Sequence, residues 1–368
     1  MAGFTPPPYP YDRLAPLHEA ASALSGGVVD LSIGTPCDPP PALVADALAD
    51  ADAARSYPPS IGTPAYRAAA AGWLQRHFGA EVPHDAVAAC MGTKELVAGV
   101  PHWLRLRTPE RDTVLYPEVS YPTYAMGATL AGCRAVPVPV DDQWRLRLDA
   151  IDADDAERAL CLWVNTPGNP AGGLDDLGAA AAWGRAHGVP VFSDECYAAF
   201  TWDGAGRSIL SHGTDGVVAV HSLSKRSNFA GARVGFYAGD ADLVRFLSEV
   251  RKHAGFMVPG PMQLAGAAAW ADDDHVELQR TRYRERLDAL AAGLRSFGLD
   301  VVLPGGAFYL WIAAPGGDAW GLAGELARRG GLLVSPGEFY GPAGAGHVRV
   351  AAVQPLERIA LGLDRLLA

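Results

Sequence analysis

Short apolar runs alternate with helix-like segments along the middle of the chain, and this alternation restricts the possible folds more than any other feature. From about residue 86, β-branched or apolar runs occur at 113–116, 135–140, 159–164, 189–193 and 217–221. Segments with helical spacing, such as 122–131 and 175–187, lie between most of them. Strands that alternate with helices in this way form a mostly parallel sheet covered on both faces. The sequence therefore predicts an α/β fold.

The pattern changes after about residue 255. A long helical stretch, 261–296, and a closing helix, 355–367, enclose short apolar runs at 300–303, 307–313, 331–334 and 347–351. This order predicts a smaller α+β domain, and a chain of 368 residues exceeds what one hydrophobic core usually serves. We predict that residues 1–49 form an N-terminal arm and part of the small domain, 50–255 the large α/β domain, and 256–368 the rest of the small domain.

Polar residues follow three of the predicted strands at the point where each strand ends. Strand 159–164 leads into Asn165-Thr-Pro-Gly-Asn169-Pro-Ala-Gly, strand 189–193 into Asp194-Glu-Cys-Tyr197, and strand 217–221 into Ser222-Leu-Ser224-Lys225. Ligands of open α/β sheets bind at the carboxyl ends of the strands. An amide, a carboxylate with a phenol, and a lysine flanked by hydroxyls are therefore expected to meet in one site.

Lysine is rare in this chain, which directs attention to each one present. Only Lys94, Lys225 and Lys252 are lysines among the 30 cationic side chains; the other 27 are arginines. An arginine guanidinium serves in ion pairs but does not supply a free amine to a carbonyl. Each lysine is therefore a candidate for amine chemistry, although compositional drift explains any one of them equally well.

The composition excludes several classes of partner and compartment. A net charge of −11 argues against nucleic acid or an anionic membrane as the main partner, and no apolar run approaches the length of a membrane span. The N-terminus has neither the basic start nor the apolar core of a secretory signal. Five cysteines, an odd number without Cys-x-x-Cys spacing, indicate neither a disulfide framework nor a zinc site. We expect a cytoplasmic protein without a bound metal.

The polar residues at the strand ends suit catalysis through a Schiff base with pyridoxal phosphate. A lysine amine condenses with the aldehyde of that cofactor, and a carboxylate keeps the pyridine nitrogen protonated, so that the ring accepts electrons well. A phenol and an amide suit the ring oxygen. Hydroxyls and an arginine beside a helix N-terminus suit the phosphate.

At these motifs the sequence resembles the fold-type I, class I/II aminotransferases that depend on pyridoxal phosphate, over essentially its whole length. Ser222-Leu-Ser224-Lys225, with Arg233 eight residues later, matches the lysine motif of this family. The resemblance implies that Lys225 forms the Schiff base and later moves the proton, and that the hydroxyl and guanidinium groups around it bind the phosphate. It also implies that Asp194 pairs with the pyridine nitrogen.

The same resemblance assigns roles to residues elsewhere in the chain. Tyr197 and Asn169 match the residues that donate to the ring oxygen, and Tyr121 matches the aromatic residue stacked on the ring. Arg349, in His-Val-Arg-Val, matches the arginine that binds the α-carboxylate of the substrate, where Gly34 and Asn169 also contribute. Tyr57 matches the tyrosine that reaches the phosphate of a second subunit, which implies a homodimer with shared active sites.

The segment that precedes the helix at 93–100 also matches the part of the family that surrounds the phosphate. It reads Met91-Gly92-Thr93-Lys94-Glu95, so Gly92, Thr93 and Lys94 are counted among the cofactor-binding residues. The trio departs from the Gly-Ser-Gln common in the wider family, which leaves the individual phosphate ligands open.

The substrate is harder to predict than the reaction. No arginine occurs between Arg251 and Arg280, where aspartate aminotransferases carry a distal arginine, so a simple aspartate enzyme is disfavoured. At finer grain, stretches such as Arg251-Lys-His-Ala-Gly-Phe-Met-Val-Pro-Gly-Pro resemble the actinobacterial N-succinyldiaminopimelate aminotransferases of lysine biosynthesis. This resemblance implies exchange of an amino group between N-succinyl-LL-2,6-diaminopimelate and 2-oxoglutarate. Candidates for the distal carboxylate are Lys94, Arg226 and Lys252, and plain surface or ion-pair roles fit each of them equally well.

Four alternative functions compete with the proposed substrate and reaction. A C–S β-lyase keeps the cofactor and would use the same Lys225 and Asp194, and an aminotransferase for another amino acid keeps the reaction. A regulator with a cofactor-binding domain predicts a helix-turn-helix extension and basic patches, and this chain has neither. A nicotinamide-dependent oxidoreductase is disfavoured because no Gly-x-Gly-x-x-Gly follows a strand.

Overall fold

The structure, a computed structural model, describes residues 4–368 and divides them into two compact units. The smaller unit comprises the described residues up to Gly34 with Tyr283–Leu303 and Phe308–Ala368, and the larger unit comprises Thr35–Arg282 and Pro304–Ala307. The sequence predicted changes of domain at residues 49 and 255, whereas these units change over at Gly34 and Arg282. The assignment of 50–255 as a cofactor-binding domain stays a prediction.

Within the described residues the chain forms thirteen α-helices and twelve strands. The helices are α1 (Ala15–Ser22), α2 (Ala42–Leu48), α3 (Pro64–Phe78), α4 (Thr93–Arg107), α5 (Thr123–Leu130), α6 (Ala153–Arg158), α7 (Leu177–His187), α8 (Leu223–Arg226), α9 (Ala241–His253), α10 (Gly260–Ala271), α11 (Asp274–Ser296), α12 (Ala319–Gly330) and α13 (Leu356–Leu367). The strands are β1 (Val29–Asp30), β2 (Val87–Cys90), β3 (Thr113–Pro117), β4 (Arg134–Val138), β5 (Ala159–Asn165), β6 (Val191–Asp194), β7 (Val217–Ser222), β8 (Gly235–Gly239), β9 (Tyr309–Ala313), β10 (Leu332–Leu333), β11 (Ser335–Pro336) and β12 (His347–Ala351).

A seven-stranded sheet forms the centre of the larger unit, in the order β2-β8-β7-β6-β5-β3-β4. Strand β8 runs antiparallel to both neighbours, and the remaining pairs of the sheet are parallel. Parallel strands need long crossovers, which the helices between them supply. The predicted α/β fold with a mostly parallel sheet is confirmed.

The central strands are buried on both faces, which explains why they read as continuous apolar runs. Every residue of β5, β6, β7 and β8 is buried. Along β7, Val217 and Ala219 pack into one hydrophobic cluster, whereas Val218 and Val220 pack into another. Successive side chains of a strand point to opposite faces, so the two clusters are the cores on the two sides of the sheet. Helices α3, α7 and α10 contribute to the first cluster and α4, α5 and α9 to the second.

The smaller unit contains two small sheets. Strand β1 pairs in parallel with β10, and β12 lies between β11 and β9 with antiparallel pairing on both sides. The strand pair β9–β12 sets Arg349 opposite Trp311. Strands and helices are therefore mixed in this unit, as the sequence predicted for an α+β domain.

Two local predictions were wrong. The helical stretch predicted over 261–296 is broken between α10 and α11, where Asp272 adopts an extended backbone and its carboxylate accepts the N–H of His275 at 3.2 Å. An aspartate that accepts from the first turn of a helix stabilises the helix start, and this local competition is invisible in apolar spacing alone. The run 300–303 is irregular, and β8 was not predicted.

None of the helices in the described range 4–368 combines the length and the apolar character needed to cross a membrane.

Candidate active site

The polar residues that follow the central strands lie in adjacent positions along one edge of the sheet. Asn165 pairs with Asp194 across β5 and β6, and Asp194 pairs with Val220 of β7. Ser222, two residues further along β7, pairs with Gly235, which pairs with Cys90 at the end of β2. The carboxyl ends of β2, β5, β6 and β7 therefore meet at this edge, where open α/β sheets bind ligands.

Lys225 lies in a one-turn helix directly after β7. Ser222 ends the strand and caps α8, with its Oγ accepting the N–H of Ser224 at 3.1 Å and donating to Ser224 Oγ at 2.9 Å. A serine cap satisfies a backbone donor that the helix leaves open. Both serines are buried, whereas Lys225 is half-buried. The cap thus holds the lysine at the strand end.

Asp194 ends β6 with its carboxylate buried and both oxygens engaged. Oδ2 accepts the phenol O–H of Tyr124 at 2.8 Å, and Oδ1 accepts the backbone N–H of Cys196 at 3.2 Å. Burial raises the pKa of Asp194, and the hydrogen bonds from Cys196 and Tyr124 act in the opposite direction. The donors therefore favour the charged carboxylate in a place where burial alone would disfavour it.

Asn165, at the end of β5, holds the loop that carries Asn169. Its Nδ2 donates to the backbone oxygen of Asp194 at 2.8 Å, and its Oδ1 accepts the N–H of Asn169 at 2.8 Å. One amide thus ties the Asn169 loop to the strand that bears the carboxylate. Asn169 is 8% exposed, and Tyr197, after β6, is 7% exposed. The structure brings all four residues to the same strand ends.

A turn of residues 91–94, here called the Met91 turn, leads from β2 into α4. Gly92 is the N-cap of α4 at a φ of 73° and provides no side-chain cap, and a helix N-terminus is a favourable place for an anion. A Cβ on Gly92 would collide with the guanidinium of Arg233, which explains the glycine. Thr93 Oγ1 accepts from the thiol of Cys196 at 3.5 Å. The turn, Arg233 and the end of β6 are therefore close together.

A buried ion pair supports the Met91 turn from behind. Glu95 Oε1 accepts the N–H of Met91 at 2.9 Å. Both carboxylate oxygens of Glu95 also accept from Arg251 of α9, at 2.7 and 2.8 Å. Arg251 is 1% exposed and lies over the rings of Trp103, Tyr237 and Phe256. Burial opposes its charge, but Glu95 more than offsets this effect, so the pKa of Arg251 is raised.

Three predicted cofactor residues of the larger unit are more exposed to solvent than Asn169, Asp194 and Tyr197. The half-buried ring of Tyr121 meets Tyr124 edge-on, with centroids 5.8 Å apart. Lys94 is exposed in the first turn of α4. Tyr57 is 93% exposed, in a segment anchored by the Ser60 hydroxyl, which donates to the backbone oxygen of Phe256 at 2.8 Å.

Arg349 lies in a buried aromatic cluster of the smaller unit. Its guanidinium is 4.2 Å from the ring centroid of Tyr309 and 4.7 Å from that of Tyr340, and it donates to Ser32 O at 2.6 Å. It also donates to the phenol of Tyr11 at 3.4 Å. A Cβ on Gly34 would collide with the hydroxyl of Tyr309, so this position requires glycine. Stacked rings fix the plane of the guanidinium, as bidentate recognition of a carboxylate requires.

The three candidates for a distal carboxylate contact are in different surroundings. Arg226 is 2% exposed; it donates to Ala269 O at 2.6 Å and to Asp273 Oδ1 at 3.0 Å, and burial lowers its pKa to about 10. This structural cluster argues against Arg226 as a substrate contact, so that expectation is corrected. Lys252 is exposed, 3.5 Å from Glu249. Lys94 is exposed at the start of α4.

The residues of the larger unit fit pyridoxal phosphate. A half-buried lysine suits the aldehyde, a buried carboxylate that accepts hydrogen bonds from Tyr124 and Cys196 suits the pyridinium nitrogen, and a helix N-terminus without a side-chain cap beside Arg233 suits the phosphate. Among residues 4–368, no group of three or more His, Cys, Asp or Glu side chains is placed to hold a metal ion.

Sequence reasoning missed Tyr124 and Arg251. Tyr124 lies in the first turn of α5, three residues after Tyr121, and its partner Asp194 is 70 residues away. Arg251 lies 156 residues from Glu95, and no local pattern joins them.

The chain matches the family described as aminotransferase class I and II over residues 26–366. Over 98% of its length it is 42% identical to 4-dedimethylamino-4-oxo-anhydrotetracycline transaminase OxyQ of Streptomyces rimosus, covering 99% of that protein, and 43% identical to the probable aminotransferase Rv1178 of Mycobacterium tuberculosis, covering 85%. It is 33% identical to an LL-diaminopimelate aminotransferase of Desulforudis audaxviator, with coverage of 98% and 95%. The structure of a probable N-succinyldiaminopimelate aminotransferase from Thermus thermophilus superposes with a TM-score of 0.86 at 30% identity, over 97% of this chain and 99% of that one.

Proposed function

Since the chain belongs to the aminotransferase class I and II family, we propose that it exchanges an amino group between N-succinyl-LL-2,6-diaminopimelate and 2-oxoglutarate. The family depends on pyridoxal phosphate, so the reaction type is that of a pyridoxal-phosphate-dependent transaminase. The substrate pair, the roles of individual residues and the assembly are our proposals.

The proposed roles begin with the proton and the ring nitrogen. Pyridoxal phosphate, when bound, supplies an electron sink for the electrons left at the substrate α-carbon when its proton is removed. The amine of Lys225 takes that proton and returns it on the product side, acting as general base and then as general acid. Asp194 keeps the ring nitrogen positively charged. Tyr197 and Asn169 donate to the ring oxygen.

Other residues bind and orient. The N-terminus of α4, with Thr93, Lys94, Ser222, Ser224 and Arg233, holds the phosphate, and Tyr121 stacks on the ring. Arg349 binds the substrate α-carboxylate bidentately, and Gly34 lines the pocket beside it. Because Tyr309 and Tyr340 stack on its guanidinium, Arg349 is held for that geometry before substrate arrives.

Two observations support the substrate class. Relatives named LL-diaminopimelate aminotransferases, and the Thermus protein named as a probable N-succinyldiaminopimelate aminotransferase, match nearly the whole chain. The segment after α9 contains Phe256 and Met257 rather than an arginine, which suits a long and partly apolar substrate better than aspartate.

The observation that carries the reaction is the placement of Lys225 and Asp194 at neighbouring strand ends of one sheet. A half-reaction screen tests it: the cofactor-loaded enzyme is mixed with single amino donors, and loss of the absorbance band of the lysine-bound cofactor is followed. We expect N-succinyl-LL-2,6-diaminopimelate and glutamate to react faster than aspartate. Faster reaction of ornithine derivatives or aromatic donors would overturn the substrate but not the reaction class.

A second substrate class follows from the relative OxyQ, whose name describes amination of an oxo-anhydrotetracycline and whose identity to this chain, 42%, exceeds that of the diaminopimelate enzymes. The aminated enzyme is therefore also offered a polycyclic ketone and, separately, 2-oxoglutarate. Return of the cofactor band with the ketone alone would favour the second class. Pyruvate released from cystathionine would instead indicate the β-lyase.

Tyr57 carries the proposal of a homodimer with shared sites. Its side chain is almost fully exposed on this chain although it is a large aromatic residue. If Tyr57 binds the phosphate of a second subunit, a mixed dimer of Y57F and K225A subunits contains one site in which both residues are intact. Mixing the two variants therefore raises activity in proportion to the fraction of mixed dimers. A sedimentation measurement that finds a fully active monomer would refute the proposal.

A further inference from the structure

We propose that Tyr124 is a positioning residue whose phenol keeps the carboxylate of Asp194 charged and directed at the ring nitrogen of pyridoxal phosphate. The proposal rests on the placement of Asp194 against that nitrogen, as proposed above. It adds a residue that neither the family resemblance nor the comparisons assign.

The contact is direct and fully enclosed. Tyr124 is 0% exposed, and its O–H donates to Asp194 Oδ2 at 2.8 Å. Its ring stacks on Trp163, with centroids 5.1 Å apart and planes 22° apart, while Tyr121 meets it edge-on. Packing on two sides fixes the phenol, so the hydroxyl has one accessible direction. A hydrogen bond from a donor held in this way fixes the rotation of the carboxylate as well as its charge.

The phenol is suited to act as a permanent donor. Burial and the adjacent Asp194 raise the pKa of Tyr124 well above its ordinary value, so its proton stays in place while Asp194 titrates. The other titratable groups around Asp194 are the thiol of Cys196, His221 of β7 and Cys90 of β2. Burial raises the pKa of both thiols, so neither competes as an anion. The phenol of Tyr124 and the N–H of Cys196 both donate to this carboxylate.

The consequence is a pH effect on cofactor binding. Asp194 must be ionised to hold a pyridinium nitrogen, and a hydrogen bond to a charged group favours the ionised form. Removing the phenol O–H raises the pKa of Asp194 in the cofactor-free enzyme. Affinity for pyridoxal phosphate then falls on the acid side, where wild-type Asp194 is still ionised and the variant is not. At high pH both are ionised and the affinities converge.

The test compares Tyr124→Phe with wild type in equilibrium dialysis of the cofactor-free full chain against pyridoxal phosphate, from pH 5 to 9. In Y124F we expect the pH below which affinity for pyridoxal phosphate falls, here called the acid limb, to be about one to two units higher than in wild type. On that limb the affinity of the variant is then lower by about ten- to a hundredfold. A uniform loss at every pH, or no loss, would overturn the proposal, because a merely structural tyrosine has no reason to act on one limb.

Two further variants separate the possible outcomes. Tyr237→Phe is the matched control, since Tyr237 is equally buried and its hydroxyl bonds to Ser248 Oγ at 3.0 Å, away from Asp194. Y237F leaves the acid limb in place if the proposal is correct. Asp194→Asn removes the titrating group, so Y124F adds no pH-dependent effect in that background. If D194N leaves the affinity for pyridoxal phosphate unchanged, the proposed role of Asp194 is wrong. If D194N weakens binding but Y124F does not shift the acid limb, only the proposed role of Tyr124 is wrong.

Discussion

The two partners of the Glu95–Arg251 ion pair, which contacts the Met91 turn, differ in their exposure to water, and this difference allows a prediction about stability. Arg251 is 1% exposed, whereas the side chain of Glu95 is 20% exposed. Replacing Glu95 by methionine leaves a cation with almost no access to water, and removing one partner of a buried pair costs about 3–5 kcal/mol. Replacing Arg251 by methionine leaves a carboxylate that water still reaches, for which we expect about 1–3 kcal/mol. E95M is therefore the more destabilising change.

Thermal unfolding of the cofactor-free enzyme, followed by circular dichroism, measures the difference. The larger unit has about 250 residues, and a domain of that size shifts its Tm by about 2 °C per kcal/mol. We expect E95M to lower Tm by about 6–10 °C and R251M by about 2–6 °C. The order of the two variants is the decisive result, because it follows from the unequal burial of the two partners.

The double variant E95M/R251M supplies the control. Two methionines leave no charge behind, and replacing both members of a buried pair by apolar residues is often neutral. We expect the double variant to unfold at a higher temperature than E95M. Met91 loses its acceptor in E95M and in the double variant but not in R251M, so affinity for pyridoxal phosphate falls about tenfold in the first two only. An R251M less stable than E95M, or a double variant as unstable as the sum, would refute the reasoning.

Three further predictions concern the site and its support. Lys225→Ala abolishes transamination, and mass spectrometry of the borohydride-treated protein finds no reduced adduct on the 222–226 peptide, in contrast to wild type. Arg349→Lys lowers kcat/KM for donors with an α-carboxylate by about 10–100-fold, because the planar bidentate contact is lost, while affinity for pyridoxal phosphate in dialysis stays unchanged. Burial raises the pKa of Asp175 to about 6, above the ordinary value of an aspartate, so the folded state binds this proton more tightly than the unfolded state. Stability from Asp175 is therefore present below about pH 4 and lost as pH rises through 6, and the Tm of wild type relative to Asp175→Asn increases as pH is lowered through that window.

The strand ends could be read from the sequence because burial leaves a clear signal there. In β5, β6 and β7 every position is enclosed, and each of these strands ends on a polar residue. Asn165, Asp194 and Ser222 were located in this way, and the register of the sheet sets them side by side. Strand β8, Gly235–Gly239, was not predicted, because its sequence begins and ends with glycine and contains no long apolar run.

Residues that hold the site in place were harder to find than residues at its edge. Tyr124 reaches Asp194 across 70 positions and Arg251 reaches Glu95 across 156, so neither partner is visible in local spacing. In the sequence, a tyrosine or arginine of this kind cannot be distinguished from any other core or surface residue, because its partner is known only from the fold. The break between α10 and α11 has a different origin, since it depends on a local bond from the N–H of His275 to the carboxylate of Asp272 that apolar spacing does not show.

The three lysines show how composition and position combine. Scarcity of lysine marked Lys94, Lys225 and Lys252 as candidates for amine chemistry without separating them. The structure separates them by surroundings: Lys252 is exposed near Glu249, and Lys94 is exposed on a helix start, where a cation serves a phosphate as a point charge. Of the three, Lys225 alone is half-buried. It lies in α8, which Ser222 caps at the end of β7, and β7 is next to the strand that bears Asp194. An amine that must attack a carbonyl and then move a proton needs partial exclusion of water and a fixed direction. The position of Lys225 therefore favours it as the reactive amine, a distinction that composition alone does not make.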